Sequence, residues 1–392
     1  MEGKEIIMGN AAFVEGTLAA GCRFFAGYPI TPQNEIPERM SWRMPQEGGV
    51  MMQMEDELAS IAAVIGASAA GTKACTSTSG PGFSLMQECV SWAAAIELPL
   101  VISDVQRTGP GSGIVSLPHH SDVMQAHYGG NGDYILPTYA PNSCQELFDF
   151  AIEAFNTSEI YRVPVVVLSD PWLGHLYEVL EYPTPEKLKE WVIPRKLPEG
   201  DPQSWIPFTR KDKKTGEFII TPVFQLGTKY MPWWVPSVSH NPMGLPIEGD
   251  TMMQDEVPSY AMVEAVNDKI LKNEEKLVQT EEYKTDDADV VIVCYGLPAR
   301  AAKRAVIDLR EEGVKVGLLR FKTLWPFPAK KMTEIAQAVK KFVVPELNWG
   351  QLFIEIERYA AKEGAKAWLL KQISILHEPK EIVDKVKEVM AL

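Results

Sequence analysis

The stretch KACTSTSGPGFSLMQECVSWAAAIELPLVISDV, residues 73–105, decides the fold. Its two ends, Lys73–Thr76 and Leu98–Val105, are short apolar runs typical of strands that are covered on both faces. Residues 82–95 between them have the length and composition of a helix. A strand, a helix and a second strand in this order predict a parallel βαβ unit with helices packed on the sheet.

The same alternation continues on both sides of this unit. Further strands are predicted at Arg23–Ala26, Val50–Met54 and Val163–Leu168, with helices near 10–20, 33–42, 56–70 and 143–157. A second block has predicted strands at Val290–Tyr295, Lys315–Leu319, Phe342–Pro345 and Gln372–Leu376, with helices near 299–312, 329–340, 351–362 and 379–390. The sequence therefore predicts an α/β protein with two parallel-sheet domains, residues 1–170 and 287–392.

The connecting segment 171–286 has a different composition. Residues 171–258 hold 13 of the 29 prolines and five of the ten tryptophans in less than a quarter of the chain. Proline breaks regular elements, whereas Trp205, Trp233 and Trp234 are too large to leave in water. We expect an irregular arm that packs on a domain or another subunit, followed by a helix at 258–275 and a charged connection, EEYKTDDAD.

Composition excludes several classes of function. The 392 residues carry 38 Lys and Arg against 52 Asp and Glu, a net charge of −14, which disfavours nucleic acid or an anionic membrane as partner. The five cysteines are far apart and form no CxxC pair, which favours reduced thiols over a disulfide, zinc or iron–sulfur site. The charged N-terminus lacks the apolar run of a signal peptide, and we expect a cytoplasmic protein.

Polar, glycine-rich loops follow four predicted strands of the first block. They are Gly27–Pro32, Glu55–Glu57, Ser77–Gly82 and Gln106–Gly111. Because ligands of open parallel sheets bind at the carboxyl ends of the strands, these loops predict a small-molecule site at one sheet edge.

Each feature of these loops also has a structural interpretation. The glycines serve tight turns equally well, and Gly109–Ile114 lacks the third glycine of a dinucleotide fingerprint, which disfavours a nicotinamide dehydrogenase. The acids at 55–57 suit the first turn of a helix, and Thr31 with Glu35 suits a helix cap. Arg107 suits either a surface ion pair or a two-point bond to a substrate carboxylate.

Several motifs together resemble one family. GCRFFAGYPITPQNEIPE, QMEDELASIAAVIGASAAG, TSTSGPGFSLMQE and DVQRTGPGSG resemble the alpha subunit of 2-oxoacid:ferredoxin oxidoreductases, in particular the 2-oxoglutarate and branched-chain types. FKTLWPFP and VVPELNWGQL in the second block resemble the same subunit. The resemblance implies a thiamine diphosphate pyrimidine-binding domain and a domain like the C-terminal domain of transketolase.

The resemblance also implies partners and cofactors. A beta subunit is expected to hold the diphosphate, magnesium and iron–sulfur of a shared site, with gamma and ferredoxin-like delta subunits, in a dimer of the hetero-oligomer. Thiamine diphosphate acts as the electron sink, coenzyme A is co-substrate and ferredoxin accepts the electrons. This chain, without a metal site of its own, is expected to be inactive alone.

The resemblance assigns roles to individual residues. Glu55 is expected to hydrogen-bond the aminopyrimidine ring from a dry site walled by Met52, Met54 and Ile61, which would raise its pKa. Thr31 and Arg107 are expected to bind the substrate. The pyrimidine pocket is expected to be lined by Tyr28, Pro29, Ile30, Ser79 and Gly80, with Phe83 packed beside it.

The stretch after Arg107 does not decide which 2-oxoacid is the substrate. It reads RTGPGSG where the family usually has RGGPSTG. His119 or His120, as a cation, suits the distal carboxylate of 2-oxoglutarate, whereas Ile114, Val115 and Leu117 suit a branched-chain or aryl 2-oxoacid. A scaffold paralogue without activity is a third possibility. Glu346, Asn348, Gly350 and Gln351 are expected to pack between domains or to touch coenzyme A.

Overall fold

The computed structural model describes residues 3–212, 214–232, 235–247 and 258–392. Trp233 and Trp234 of the predicted arm lie outside the described residues. Within the described ranges, no helix combines the length and apolar character needed to cross a bilayer.

The first domain is built on a seven-stranded sheet. From edge to edge the strands are β14 (Thr323–Trp325), β6 (Thr138–Tyr139), β7 (Pro164–Ser169), β5 (Leu100–Val105), β4 (Ala74–Thr78), β2 (Phe24–Gly27) and β3 (Val50–Gln53). All neighbours are parallel except β14, which comes from the C-terminal half of the chain and pairs with β6 antiparallel. The buried central strands β4, β5 and β7 confirm the predicted parallel sheet.

Helices cover this sheet on both faces. They are α1 (Gly9–Ala19), α2 (Glu35–Gln46), α3 (Glu57–Ala69), α4 (Pro81–Ala95) and α6 (Cys144–Tyr161), with short helices α5 (Gln125–Tyr128) and α7 (Pro171–His175). Each long helix lies within a few residues of its predicted position.

The second sheet has five strands. Their order is β11 (Thr280–Tyr283), β13 (Val316–Phe321), β12 (Val290–Tyr295), β15 (Lys341–Glu346) and β16 (Lys366–Lys371), with only β11 antiparallel. The helices are α11 (Pro298–Glu311), α12 (Ala329–Ala338), α13 (Phe353–Lys362) and α14 (Pro379–Ala391). Strand β11 therefore occupies part of the segment predicted as a charged connection.

The predicted strand Gln372–Leu376 is wrong. Strand β16 ends at Lys371, and residues 372–376 form a loop instead. Their alternating apolar pattern, QISIL, is that of a strand, but Ser374 has a φ of 65° and donates its backbone N–H to Pro118 O at 3.0 Å. Gln372 N still donates to Glu346 O of β15 at 2.9 Å, so the segment leaves the sheet after Gln372 and contacts the first domain at Ser374.

The arm packs against the first domain, as predicted. It begins with β8 (Tyr177–Tyr182), which pairs with β1 (Gly3–Met8), and continues through α8 (Pro185–Trp191), β9 (Arg210–Lys211) and β10 (Phe218–Ile219) to α9 (Pro258–Leu271) and α10 (Glu274–Leu277). Trp205 packs edge-on against Tyr230, with ring centroids 5.8 Å apart. Strand β1 was not predicted, because its sequence is rich in charged residues and its pairing depends on distant residues.

A buried charged cluster joins the arm and α9 to the first domain. Lys269 Nζ lies 2.8 Å from Glu97 Oε2, and the two side chains are 0% and 3% exposed. Lys269 also donates to Arg162 O, and the N–H of Thr209 donates to Glu97 Oε1 at 2.8 Å. Burial acts to raise the pKa of Glu97, but Lys269 and Arg162 outweigh it and hold that pKa at about 2.

Candidate active site

The carboxyl ends of the central strands bring the predicted loops to one edge. Gly27 at the end of β2 lies opposite Gln53 at the end of β3, and Met54 N donates to Gly27 O at 3.0 Å. On the other side, Thr78 at the end of β4 pairs with Asp104 near the end of β5. The loops that begin at Tyr28, Met54, Ser79 and Gln106 therefore leave the sheet at the same edge.

Arg107 and Thr31 meet at this edge. Arg107 Nη1 donates to Thr31 O at 2.6 Å, and the arginine is only 5% exposed. Within the part of the chain that the structure describes, Arg107 Nε has no hydrogen-bond partner. A Cβ built on Gly80 would lie 3.6 Å from Arg107 Cγ, so the β4 loop reaches the same side chain.

Thr31 does not cap a helix. Helix α2 begins at Glu35 after Asn34, and Thr31 Oγ1 instead accepts from Asn34 Nδ2 at 3.3 Å. Its hydroxyl thus stays near the surface while its carbonyl orients Arg107.

Buried acids surround Arg107, and sequence reasoning missed two of them. Burial raises the pKa of Asp104 well above its usual value, and the neighbouring carboxyl of Asp122 raises it further. Burial also raises the pKa of Asp122, and Ser121 Oγ donates to Asp122 Oδ1 at 3.0 Å. The available signal was Asp104 itself, an acid inside the largely apolar strand β5, where burial favours the protonated form of a carboxyl group.

Glu55 lies at the surface. It follows β3, the edge strand, and precedes Asp56, whose Oδ1 accepts from Ala59 N at 2.7 Å and caps α3. The expected apolar wall is wrong: Ile61 is buried, but Met52 is 44% exposed and Glu55 itself is exposed. An edge strand has no neighbour on its outer side, so this chain alone cannot enclose the carboxyl group.

The predicted pocket residues divide into an exposed and a buried group. Tyr28 and Pro29 are exposed and Ile30 is half-buried, whereas Ser79 and Phe83 are fully buried. Gln33, which was not predicted, fixes the β2 loop, since its Nε2 donates to Tyr28 O at 2.9 Å and its Oε1 accepts from Ser77 Oγ.

His119 and His120, the two histidines after the Arg107 loop, are both buried. Burial, and to a lesser degree His120, lowers the pKa of His119 to about 4, and its Nδ1 accepts from Gly109 N at 3.2 Å, so the ring is neutral at pH 7. His120 is 2% exposed and donates from Nε2 to Asp170 at 3.1 Å beside the Tyr295 ring. A buried, neutral His119 does not fit the expected binding of a distal carboxylate by a cation, and for His120 that binding stays a prediction.

The site fits the aminopyrimidine half of thiamine diphosphate. At this edge Glu55, Tyr28 and Met52 have exposed side chains, and Thr78 Oγ1 and Ser79 Oγ are buried without a partner among the described residues. Across the described ranges, no group of three or more His, Cys, Asp or Glu is arranged to hold a metal ion. A cavity of about 740 Å³ lies elsewhere, between α4 and the arm, lined in part by Cys89, Trp92 and Val238.

Comparison with known proteins agrees with this arrangement. Residues 15–229, more than half of the chain, match the family described as pyruvate flavodoxin/ferredoxin oxidoreductase, thiamine diP-binding. The chain belongs to this family. Residues 288–377 match pyruvate:ferredoxin oxidoreductase core domain II, and the predicted resemblance to 2-oxoacid:ferredoxin oxidoreductase alpha subunits is confirmed.

Three relatives of this family member illustrate the similarity. 2-Oxoglutarate synthase subunit KorA of Methanothermobacter marburgensis is 43% identical over 97% of both chains. Ketoisovalerate oxidoreductase subunit VorB of Methanothermobacter thermautotrophicus is 35% identical over 98% of this chain and 97% of its own. A similar solved structure is that of 2-oxoglutarate:ferredoxin oxidoreductase from Magnetococcus marinus with 2-oxoglutarate, coenzyme A and succinyl-CoA bound. The two chains superpose with a TM-score of 0.87 at 30% identity, over 99% of this chain and 66% of the Magnetococcus marinus chain.

Proposed function

We propose that this chain is the alpha subunit of a 2-oxoglutarate:ferredoxin oxidoreductase, which converts 2-oxoglutarate and coenzyme A to succinyl-CoA and reduces ferredoxin. The convergence of Glu55, Thr31 and Arg107 at one sheet edge carries this proposal. The higher identity to KorA, 43%, than to VorB, 35%, favours 2-oxoglutarate over a branched-chain acid.

Glu55 is proposed as the group that activates the cofactor. Bound thiamine diphosphate supplies an electron sink for the carbon that loses carbon dioxide. Glu55 would hold a proton between its carboxyl group and the aminopyrimidine ring, and this requires an environment drier than the one seen here. The exposed position of Glu55 therefore supports a second chain that covers the sheet edge.

A beta subunit is proposed as that second chain. By resemblance it would carry the diphosphate-binding residues, magnesium and an iron–sulfur cluster, with gamma and delta subunits completing the hetero-oligomer. Large exposed apolar side chains near Glu55, Met52 at 44% and Val50 at 53%, support a protein contact at this edge.

Arg107 and Thr31 are proposed to bind the 2-oxoacid. Arg107 Nη1 donates to Thr31 O, which orients the guanidinium group, and Arg107 Nε is buried without a partner among the described residues. A guanidinium held in this way presents paired donors to a carboxylate. The hydroxyl of Thr31, the residue whose carbonyl orients Arg107, would donate to the 2-oxo or carboxyl oxygen of the substrate.

The branched-chain alternative has one structural observation in its favour. Ile114 and Val115, on the loop after Arg107, are 51% and 39% exposed and suit an aliphatic tail. Reduction of viologen by the purified complex, with coenzyme A and either 2-oxoglutarate, 2-oxoisovalerate, pyruvate or an arylpyruvate, separates the two. A strong preference for 2-oxoisovalerate would reject 2-oxoglutarate as substrate, and no reduction with any acid would favour a scaffold.

The experiment for Glu55 is its replacement in the assembled enzyme. Glu55→Gln is expected to lower kcat by about 100-fold or more, the usual contribution of a positioned acid–base group, while thiamine diphosphate still binds. Glu181→Gln, a surface acid paired with Lys4, is the matched control. Turnover of the Glu55→Gln enzyme equal to that of the control would reject the assignment.

A further inference from the structure

The second domain holds the chain segment that follows the Arg107 loop. Residues 118–124, here called the clamped segment, use backbone groups of five residues, from Pro118 to Met124, to bond residues of the C-terminal half. Pro118 O accepts from Ser374 N, His120 N donates to Leu347 O at 2.8 Å, and Val123 O accepts from Trp325 Nε1 at 2.9 Å.

Two side chains of the β15–α13 loop make the remaining bonds. Asn348 Nδ2 donates to His120 O at 2.9 Å. Gln351 bonds the segment twice, since its Nε2 donates to Ser121 O at 2.6 Å and its Oε1 accepts from Met124 N at 3.0 Å. Asn348 Oδ1 in turn accepts from Gln351 N at 2.9 Å, so the two residues support each other.

The clamped segment is hydrogen-bonded in turn to Arg107 and its neighbour Gln106. Ser121 Oγ donates to Arg107 O at 3.0 Å, and Asp122 N donates to Gln106 Oε1 at 3.0 Å. Arg107 then bonds Thr31 O. Contacts therefore run without a break from Gln351 through Ser121 to Arg107.

We propose that Gln351, supported by Asn348, is a positioning residue that sets Arg107 for the substrate by ordering the clamped segment. This inference rests on the proposed function, because it takes Arg107 as the substrate-binding group. Gln351 itself acts through the clamped segment, in which Ser121 makes the bond to Arg107. The second domain would thus complete the substrate site without contacting the substrate through Gln351.

The test replaces Gln351 by Ala in the assembled enzyme. Loss of two hydrogen bonds at the segment is expected to raise the KM for the 2-oxoacid about tenfold, with kcat and thiamine diphosphate binding little changed. Amide hydrogen exchange of residues 118–124 is expected to become faster. The matched control is Arg300→Ala, which removes a bond from α11 to Glu178 at 2.7 Å and to Asn142 O, another contact between the two halves that does not lead to Arg107.

A double-mutant cycle tests the path itself. If Gln351 acts through Ser121, Ser121→Ala raises KM by a similar factor and the double variant raises it no further. Additive effects, an unchanged KM in Gln351→Ala, or an equal change in Arg300→Ala would overturn the inference. If the wild-type complex oxidises no 2-oxoacid, the proposed function fails, and unchanged hydrogen exchange in Gln351→Ala would still overturn the clamp.

Discussion

Replacement of Lys269 by Met tests how the arm is anchored to the first domain. The change removes the cation that neutralises Glu97, a carboxylate that is 3% exposed and also accepts from Thr209. Breaking a buried ion pair from one side costs about 3–5 kcal/mol, because the remaining charge stays in a poor solvent. The pKa of Glu97, about 2 against the usual 4.5, corresponds to about 3 kcal/mol at about 1.4 kcal/mol per pKa unit, and Lys269 shares this shift with Arg162 and Thr209.

The pH dependence gives this prediction a sign. Since the folded-state pKa of Glu97 lies below its unfolded value, its stabilisation is complete above about pH 4.5 and is lost as pH falls toward 2. The difference between wild type and Lys269→Met is therefore expected to be large at pH 7 and to shrink below pH 4.5.

Urea denaturation of the purified chain at pH 7, followed by circular dichroism, measures the effect. Lys272→Met, on the same helix but 54% exposed and paired with Asp268, is the control and is expected to cost no more than about 1 kcal/mol. A Lys269→Met chain as stable as the Lys272→Met chain would show that the buried pair does not anchor the arm.

Three further predictions concern single side chains. Arg107→Lys keeps the positive charge, but an ammonium group cannot bond Thr31 O and a carboxylate in one plane as a guanidinium does. The KM for the 2-oxoacid is therefore expected to rise about 10- to 100-fold in steady-state assays. An unchanged KM would show that Arg107 does not bind the substrate. His119→Gln is expected to have the same pH profile of kcat/KM as the wild type between about pH 6 and 8, because burial holds the pKa of His119 at about 4. Loss of an inflection from that profile in the variant would contradict a neutral His119. Burial raises the pKa of Glu346 to about 7, above its value in the unfolded chain. The free energy of unfolding of the wild type is therefore expected to fall by up to about 3 kcal/mol as pH rises from 4.5 through 7, whereas that of Glu346→Gln is not. Urea midpoints of the two proteins that run parallel over this pH range would contradict this prediction.

The fold could be predicted where the signal is local. Residues 73–105 carry a strand, a helix and a strand in uninterrupted order, and the structure has all three within a few residues of the predicted bounds. The signal failed where pairing is distant. Strand β1 pairs with β8, some 170 residues later in the chain, and Ser374 of the predicted strand Gln372–Leu376 bonds Pro118 of the first domain instead of a sheet neighbour.

The site was predictable in position but not in environment. Parallel strands bring Glu55, Thr31 and Arg107 to one edge, as the order of strands and loops indicates. The exposure of Glu55 follows from the place of β3 at the sheet edge, which no local pattern encodes. Asp122, whose carboxyl group helps to raise the pKa of Asp104, lies in the segment 118–124 that the second domain contacts, and no local pattern encodes a contact between such distant parts of the chain.

A structure of the complete enzyme with thiamine diphosphate bound tests the role of Glu55 most directly. We predict that a partner chain covers the end of β3 and that the Glu55 carboxyl group lies about 2.6–3.2 Å from a nitrogen of the aminopyrimidine ring. A ring bound out of reach of Glu55, or a Glu55 side chain still facing bulk water in the complete enzyme, would contradict the account.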